Sequence, residues 1–321
     1  MSDFDDPATD GSGWFGAEAS SGKLVIIEVP FDATSSHHRR ASKGPDAMRA
    51  ASHQVELTLI DGRCPAPAGI ASQRLPVEPL NIRAGQAMDR LRRGDQSAAV
   101  LIDETAYQLD SMLVDAVREH WAHHRQIVVL GGDHSVSFGA IQTALKEFPD
   151  LGLLQLDAHA DLRSAYEGVN CSHASIMNRV KALKPDLPLT QVGLRDLGAK
   201  ERQRIESDPS IVAFYDEALV HQQFLGMPWA EQARAIIETL PKRVWVSFDI
   251  DGLEPSLCPH TGTPVPGGLT YYQAIDLIDR IHSSGRTLVG ADLTEVAGDP
   301  YDALIGARLL YRILAGFSEK K

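Results

Sequence analysis

Short apolar runs recur along the chain, and most are followed by a stretch with an apolar residue every three or four positions. The runs at Leu24 to Val29, Gln126 to Gly131, Leu151 to Leu156, Thr190 to Leu194, Ile211 to Tyr215, Val244 to Asp249 and Leu288 to Leu293 predict buried strands. Val55 to Asp61 predicts one more, whereas Cys64 to Pro79 is proline-rich and reads as irregular. Helical periodicity predicts helices from Gly44-Pro45 to about His53, and over Asn81 to Leu91, Leu109 to His124, Val136 to Phe148, Ser172 to Leu183, Trp229 to Leu240, Tyr271 to Ser283 and Ala303 to Ala315. Alternating strands and helices of this kind predict an α/β fold. It is a single three-layer αβα domain over residues 23–321, with a mostly parallel central sheet covered on both faces. Residues 1–22, rich in Asp, Ser, Gly and Ala, read as a flexible acidic tail in which Trp14 and Phe15 are the side chains able to dock.

Composition narrows the class. The 321 residues are 43% hydrophobic and carry a formal charge of −12, so there is no basic footprint for nucleic acid. The same field favours a cationic ligand at long range. Three cysteines (Cys64, Cys171 and Cys258) lack CxxC spacing and cannot all pair, which suits a reducing cytoplasm. The N-terminus has no basic start followed by an apolar core, so no secretory signal is expected. The early apolar run, Leu24 to Phe31, contains Glu28 and Pro30 and is too short to span a bilayer, so no membrane partner is expected.

Chemistry concentrates where apolar runs end. Leu151 to Leu156 leads into Asp157, His159 and Asp161, spaced i, i+2, i+4. Such side chains share a face of a strand and can converge where the strand opens into a loop. A second run ends in Gly131-Gly-Asp133-His134-Ser135, and a third in Asp249-Ile-Asp251. In parallel sheets the ligand crevice lies outside the carboxyl ends of the strands. Four carboxylates and two imidazoles brought there repel one another unless cations lie between them, and the set is too anionic for one ion and suited to two. A ligand set dominated by oxygen favours Mn²⁺ over Zn²⁺ and is compatible with Ni²⁺ or Co²⁺. A metal pair can share and activate one water, which makes a nucleophile without serine or cysteine. No GxSxG elbow, dinucleotide fingerprint or P-loop is present.

Gly-Gly-Asp-His-Ser, Asp-Ala-His-Ala-Asp and Ser-Phe-Asp-Ile-Asp, in this order, resemble the motifs of the ureohydrolases (arginase, agmatinase and relatives). The resemblance runs from about Val25 to Leu314. It implies that Asp157 and Asp249 bridge two ions, with His134 and Asp161 completing one and His159 and Asp251 the other. Asp161 would also accept a hydrogen bond from the attacking hydroxide, and Asp133 would orient its neighbours. Glu295, in Asp292-Leu-Thr-Glu-Val, matches the glutamate that grips a guanidinium, and His173, in Cys171-Ser-His-Ala, the histidine that shuttles a proton. The loop around His37 and His38 would border the mouth of the site, and Thr261-Gly-Thr263-Pro would line its pocket.

Arginases usually have Asn two residues after the last aspartate of the central motif, where this chain has Arg163. The stretch from Asp161 through Asn170 to His173 looks more like agmatinase, so agmatine, cleaved to putrescine and urea, is the expected substrate. Arg163, Asn170, Thr263 and His260 are the further expected substrate contacts. His260 departs from the small residue usual there, and with Cys258 it opens the choice to guanidinobutyrate, guanidinopropionate, guanidine or arginine. The resemblance also implies a homotrimer or homohexamer. The other classes weighed are a non-catalytic regulatory subunit of the same fold and a deacetylase-like enzyme with a single zinc.

Overall fold

The computed structural model describes residues 13–17, 19–37 and 39–317. Its centre is one parallel sheet of eight strands: β1 (Leu24–Val29), β2 (Ile70–Arg74), β3 (Gln126–Gly131), β4 (Leu151–Leu156), β5 (Leu189–Leu194), β6 (Ile211–Tyr215), β7 (Arg243–Asp249) and β8 (Thr287–Thr294). Their spatial order is β2-β1-β3-β8-β7-β4-β5-β6. Ten α-helices connect or flank them among the described residues: α1 (Gly44–Ser52), α2 (Glu78–Arg92), α3 (Ala98–Ala122), α4 (Phe138–Glu147), α5 (Ile176–Leu183), α6 (Ala199–Ser207), α7 (Asp216–Phe224), α8 (Trp229–Glu238), α9 (Tyr271–Ser283) and α10 (Pro300–Ala315).

Both faces of the sheet are buried, and the strand alternation sorts side chains between them. On β1, Leu24 and Ile26 join a core with Met48 of α1, Ile236 of α8, Ile275 of α9 and Leu310 of α10. Val25, Ile27 and Val29 point the other way, into a core with Leu113 of α3, Ile141 of α4 and Met177 of α5. Strands buried on both faces read as continuous apolar runs, which is why they stand out in the sequence.

Two expectations are corrected. Val55 to Asp61 is not a strand. Val55 and Leu57 are buried there, but the backbone bonds locally, Leu59 N–H to Arg63 O and Gly62 N–H to Leu59 O, and Leu57 O accepts from the Tyr311 hydroxyl at 2.6 Å. The edge strand β2 instead falls inside the proline-rich stretch, paired with β1 alone, and its polar Gln73 and Arg74 hide it. Trp14 and Phe15, the two side chains expected to be able to dock, do so. Both are buried; Trp14 Nε1 donates to Glu28 Oε1 at 2.8 Å, and Phe15 packs on Tyr311 with ring centroids 4.8 Å apart. Of the expected tail, residues 1–12 and 18 lie outside the described residues. Helices α6 and α7 carry too little apolar periodicity to be legible; Ala199–Ser207 reads AKERQRIES.

Candidate active site at the carboxyl edge of the sheet

Four adjacent central strands, β3, β8, β7 and β4, end at one place and deliver His134, Glu295, Asp249 with Asp251, and the Asp157–Asp161 segment. The approach of these ends depends on small residues. A Cβ on Gly132 would lie 1.7 Å from Phe31 O, and one on Gly252 would lie 2.7 Å from Asp157 N. Asp161 and Glu295 adopt left-handed backbone angles, φ 53° and 59°. Few non-glycine residues do so, and the strain is sustained where the surrounding structure imposes it.

His134 Nδ1 lies 2.9 Å from Asp161 Oδ2, 3.2 Å from Asp157 Oδ2 and 3.6 Å from Asp249 Oδ2. His159 Nδ1 lies 3.0 Å from Asp251 Oδ2 and 3.6 Å from Asp157 Oδ1. His134, Asp157 and Asp249 form one group that could hold a metal ion, and Asp157, His159 and Asp251 a second. Asp157 is common to both groups. Backbone and amide donors fix the carboxylates: His159 N–H and Gln155 Nε2 donate to Asp157, Ala158 N–H to Asp251, and Asp251 N–H to Asp249.

The electrostatics of this set are unresolved by the side chains alone. Burial, and then the charge of Asp157, pushes the Asp161 carboxyl up to about 7. Burial and Asp251 raise Asp249 well above the carboxylate range. Burial disfavours charge on His159, yet Asp251 and Asp157 overcome it and push the imidazole up to about 12. His134 Nδ1 is buried and makes no hydrogen bond although three carboxylate oxygens surround it. Cations would satisfy that nitrogen and the carboxylates together, so the donor set fits a metal pair. The far side of the His134 ring is anchored. Nε2–H donates to Ser247 Oγ at 2.9 Å, and Ser247 in turn donates to Asp292 Oδ1, also at 2.9 Å.

These groups face a cavity of about 120 Å³. His159, Asp161, Asp249, Asp251 and Glu295 form part of its wall, together with Thr263, His173 and Arg163. Thr263 Oγ1 donates to Asp251 Oδ2 at 3.3 Å, and Arg163 stacks on Tyr166 with its guanidinium carbon 5.3 Å from the ring centroid. Glu295 Oε1 accepts from His134 N–H at 3.0 Å, and among the described residues Oε2 makes no hydrogen bond. Burial and Asp133 raise the Glu295 carboxyl well above its usual range. Burial, and then His159, lowers His173 to about 4, so its ring is neutral at physiological pH.

Two expected substrate contacts, Asn170 and His260, are not among the residues that line the cavity. Asn170 is exposed; its backbone N–H and Nδ2 donate to the two oxygens of Asp103 on α3, at 3.0 and 2.6 Å. His260 is held outside the cavity wall by α10, where its N–H and Nδ1 both reach the Asp302 carboxylate at 3.0 Å. His260, Asp299 and Asp302 also lie close enough to hold an ion, but Asp299 caps α10 and the positive end of that helix disfavours a cation. Ser36 from the loop after β1 does border the cavity, whereas His37 is exposed and His38 lies outside the described residues. The sequence reading did not single out Asp196 and Glu201, which line the mouth. Asp196 follows the end of β5 and obeys the same carboxyl-end rule that found the others.

A parallel sheet whose central strands end in interlocked histidine–aspartate groups defines an α/β enzyme of the arginase-like fold. The model of the Arginase family matches residues 22–316, and the chain belongs to that family. It is a hydrolase of amidino carbon–nitrogen bonds. An N(1)-aminopropylagmatine ureohydrolase of Thermus thermophilus is 33% identical over 91% of this chain and 89% of that protein. A guanidinobutyrase of Pseudomonas aeruginosa is 30% identical over 93% and 87%. Among solved structures, the agmatine ureohydrolase of Thermoplasma volcanium superposes with a TM-score of 0.73 at 23% identity, over 98% of this chain and 94% of that one. Among the described residues no helix is long and apolar enough to cross a membrane.

Proposed function

We propose that the chain releases urea from a small alkylguanidine, with agmatine the leading substrate and putrescine the second product. The observation that carries this is the shared cavity: His159, Asp161, Asp249 and Asp251 of the histidine–aspartate groups, Glu295 and His173 all line about 120 Å³. That is well below the ~300–1,000 Å³ of pockets for drug-sized ligands, so the substrate is small. Its wall is rich in carboxylates, which suits a cation. The Thermus thermophilus relative's name specifies an aminopropylagmatine, an alkylguanidine of the same class.

His134, Asp157, His159, Asp161, Asp249 and Asp251 would together hold a pair of dications. Mn²⁺ fits this oxygen-rich set, and Ni²⁺ or Co²⁺ is compatible with it. When bound, the pair supplies an activated water at neutral pH. Asp161 would accept a hydrogen bond from the attacking water and orient it. Glu295 Oε2 takes the guanidinium nitrogens; a cation opposite it favours its ionised form despite burial. His173, neutral in its buried position, relays a proton to the leaving nitrogen. The overall change balances: one guanidinium and one water yield one ammonium and one urea.

Arg163 at the mouth favours a second reading. Its guanidinium meets Glu201 only at 3.5 Å, and a carboxylate tail such as that of guanidinobutyrate would pair with it. Urea release from a panel of guanidino compounds, with Mn²⁺ or Ni²⁺ supplied, decides among substrates. An enzyme with two metal equivalents bound that released no urea from any of them would sink the proposal and favour a regulatory subunit.

A further inference from the structure

We infer that Thr34 sets the tautomer and orientation of His173 and is thereby a positioning residue for the proton relay; this rests on the relay role proposed for His173 above. Thr34 lies on the loop after β1, and its side chain is buried. Its backbone N–H and its hydroxyl both reach Asp133 Oδ2, at 2.9 and 2.8 Å. Ser135 N–H and Oγ reach the other oxygen of the same carboxylate. Asp133 therefore receives four donors, and the single proton of the Thr34 hydroxyl is committed to it.

A threonine hydroxyl has one proton and two acceptor positions. With the proton given to Asp133, Thr34 Oγ1 acts toward His173 only as an acceptor. His173 N–H donates to it at 3.0 Å, and the ring Nδ1 stands 3.4 Å away. Both acceptor positions are thus matched, and Nδ1 is the nitrogen that carries hydrogen in the neutral ring. Nε2 keeps its lone pair. Tyr166 meets the ring edge-on at 5.6 Å between centroids and limits its rotation. In the relay, Nε2 takes a proton from water and passes it to the leaving nitrogen as the carbon–nitrogen bond breaks, while Nδ1–H remains on Thr34. The opposite tautomer would present an N–H where a base is needed. Thr34 thus links a residue beside the cluster, Asp133, to one that touches the substrate.

The test is a cycle of four enzymes: wild type, Thr34→Val, His173→Asn and the double variant, each checked for metal content. Valine matches threonine in shape and removes the hydroxyl. Thr34→Val is expected to lower kcat by ~10-fold or more, within the ~10²–10⁴ that a positioned acid–base group contributes. KM should change by less than ~2-fold, and Thr34→Ser should restore most of kcat. In the His173→Asn background, Thr34→Val should cost nothing further. An unchanged kcat in Thr34→Val alongside a crippled His173→Asn overturns the tautomer assignment alone. Equal losses in both backgrounds overturn it too, since they mark a structural role. A fully active His173→Asn overturns the relay itself. If the valine variant does not fold, Thr34→Ala carries the same comparison.

Discussion

His134 and Asp292, on neighbouring strand ends, are joined through one hydroxyl: Ser247 Oγ accepts from His134 Nε2 and donates to Asp292 Oδ1, each at 2.9 Å. Trp245 Nε1 holds the other oxygen of Asp292 at 2.6 Å. The relay fixes which ring nitrogen carries hydrogen and leaves Nδ1 facing the carboxylates. Such partners commonly change metal affinity by ~10–100-fold. Ser247→Ala is therefore expected to weaken metal binding by about that factor, measured by titration calorimetry on the metal-free protein. Unchanged affinity would refute the role given to the relay.

Glu295→Gln should keep its bond to His134 N–H through the amide oxygen, because Oε1 alone is engaged there. The charge opposite the guanidinium disappears. We expect kcat/KM to fall by ~10²-fold or more with both metal equivalents retained. A loss of metal instead would mean that Glu295 serves the cluster and not the substrate.

Asn170→Ala should leave kcat and KM within ~2-fold of wild type, since its side chain spends its donor on Asp103 away from the cavity. The lost bond should appear as a stability decrease of at most ~1.5–3 kcal/mol, the range for hydrogen bonds to charged groups. A large rise in KM would restore the substrate contact that the sequence suggested.

His260 makes stability depend on pH. Its bond to Asp302 raises the imidazole above its usual value. A raised value in the folded state means that the contribution is fully present below the unfolded value of ~6.5 and fades as pH rises through the folded one. The melting-temperature gap between wild type and His260→Gln should therefore be widest near ~pH 6 and narrow toward ~pH 9. A gap that widened with pH would refute this sign.

Trp14→Ala should destabilise the fold by ~3–5 kcal/mol, the range for a fully buried large side chain. The indole has no exposed surface, and it holds Glu28 inside β1. Urea denaturation measures it. A change under ~0.5 kcal/mol would show that the segment around Trp14 is dispensable surface.

Much of this was legible along the chain because buried parallel strands are apolar on both faces and their polar ends stand out. His134, the three residues from Asp157 to Asp161, and the pair Asp249 and Asp251 all follow such runs, and all meet in space. Glu295, His173 and Thr263, taken from the resemblance, also reach the cavity. The readings failed where local pattern and burial part company. Val55 and Leu57 alternate like a strand, but the backbone there bonds locally and the Tyr311 hydroxyl takes Leu57 O, and β2 is too polar and proline-flanked to announce itself. Asn170 sits in the motif that suggested it, yet Asp103 draws its side chain away.

By itself, then, the order of residues determined the strand–helix alternation and the identity of the acidic and histidine clusters, because period and residue type are local properties. Only the folded chain decided which strand ends adjoin, that Asp157 belongs to both groups, and that Thr34 bears on His173 from 139 positions away. The reason is physical: strand order and side-chain hydrogen bonding are fixed by packing between distant segments, and no local periodicity encodes them.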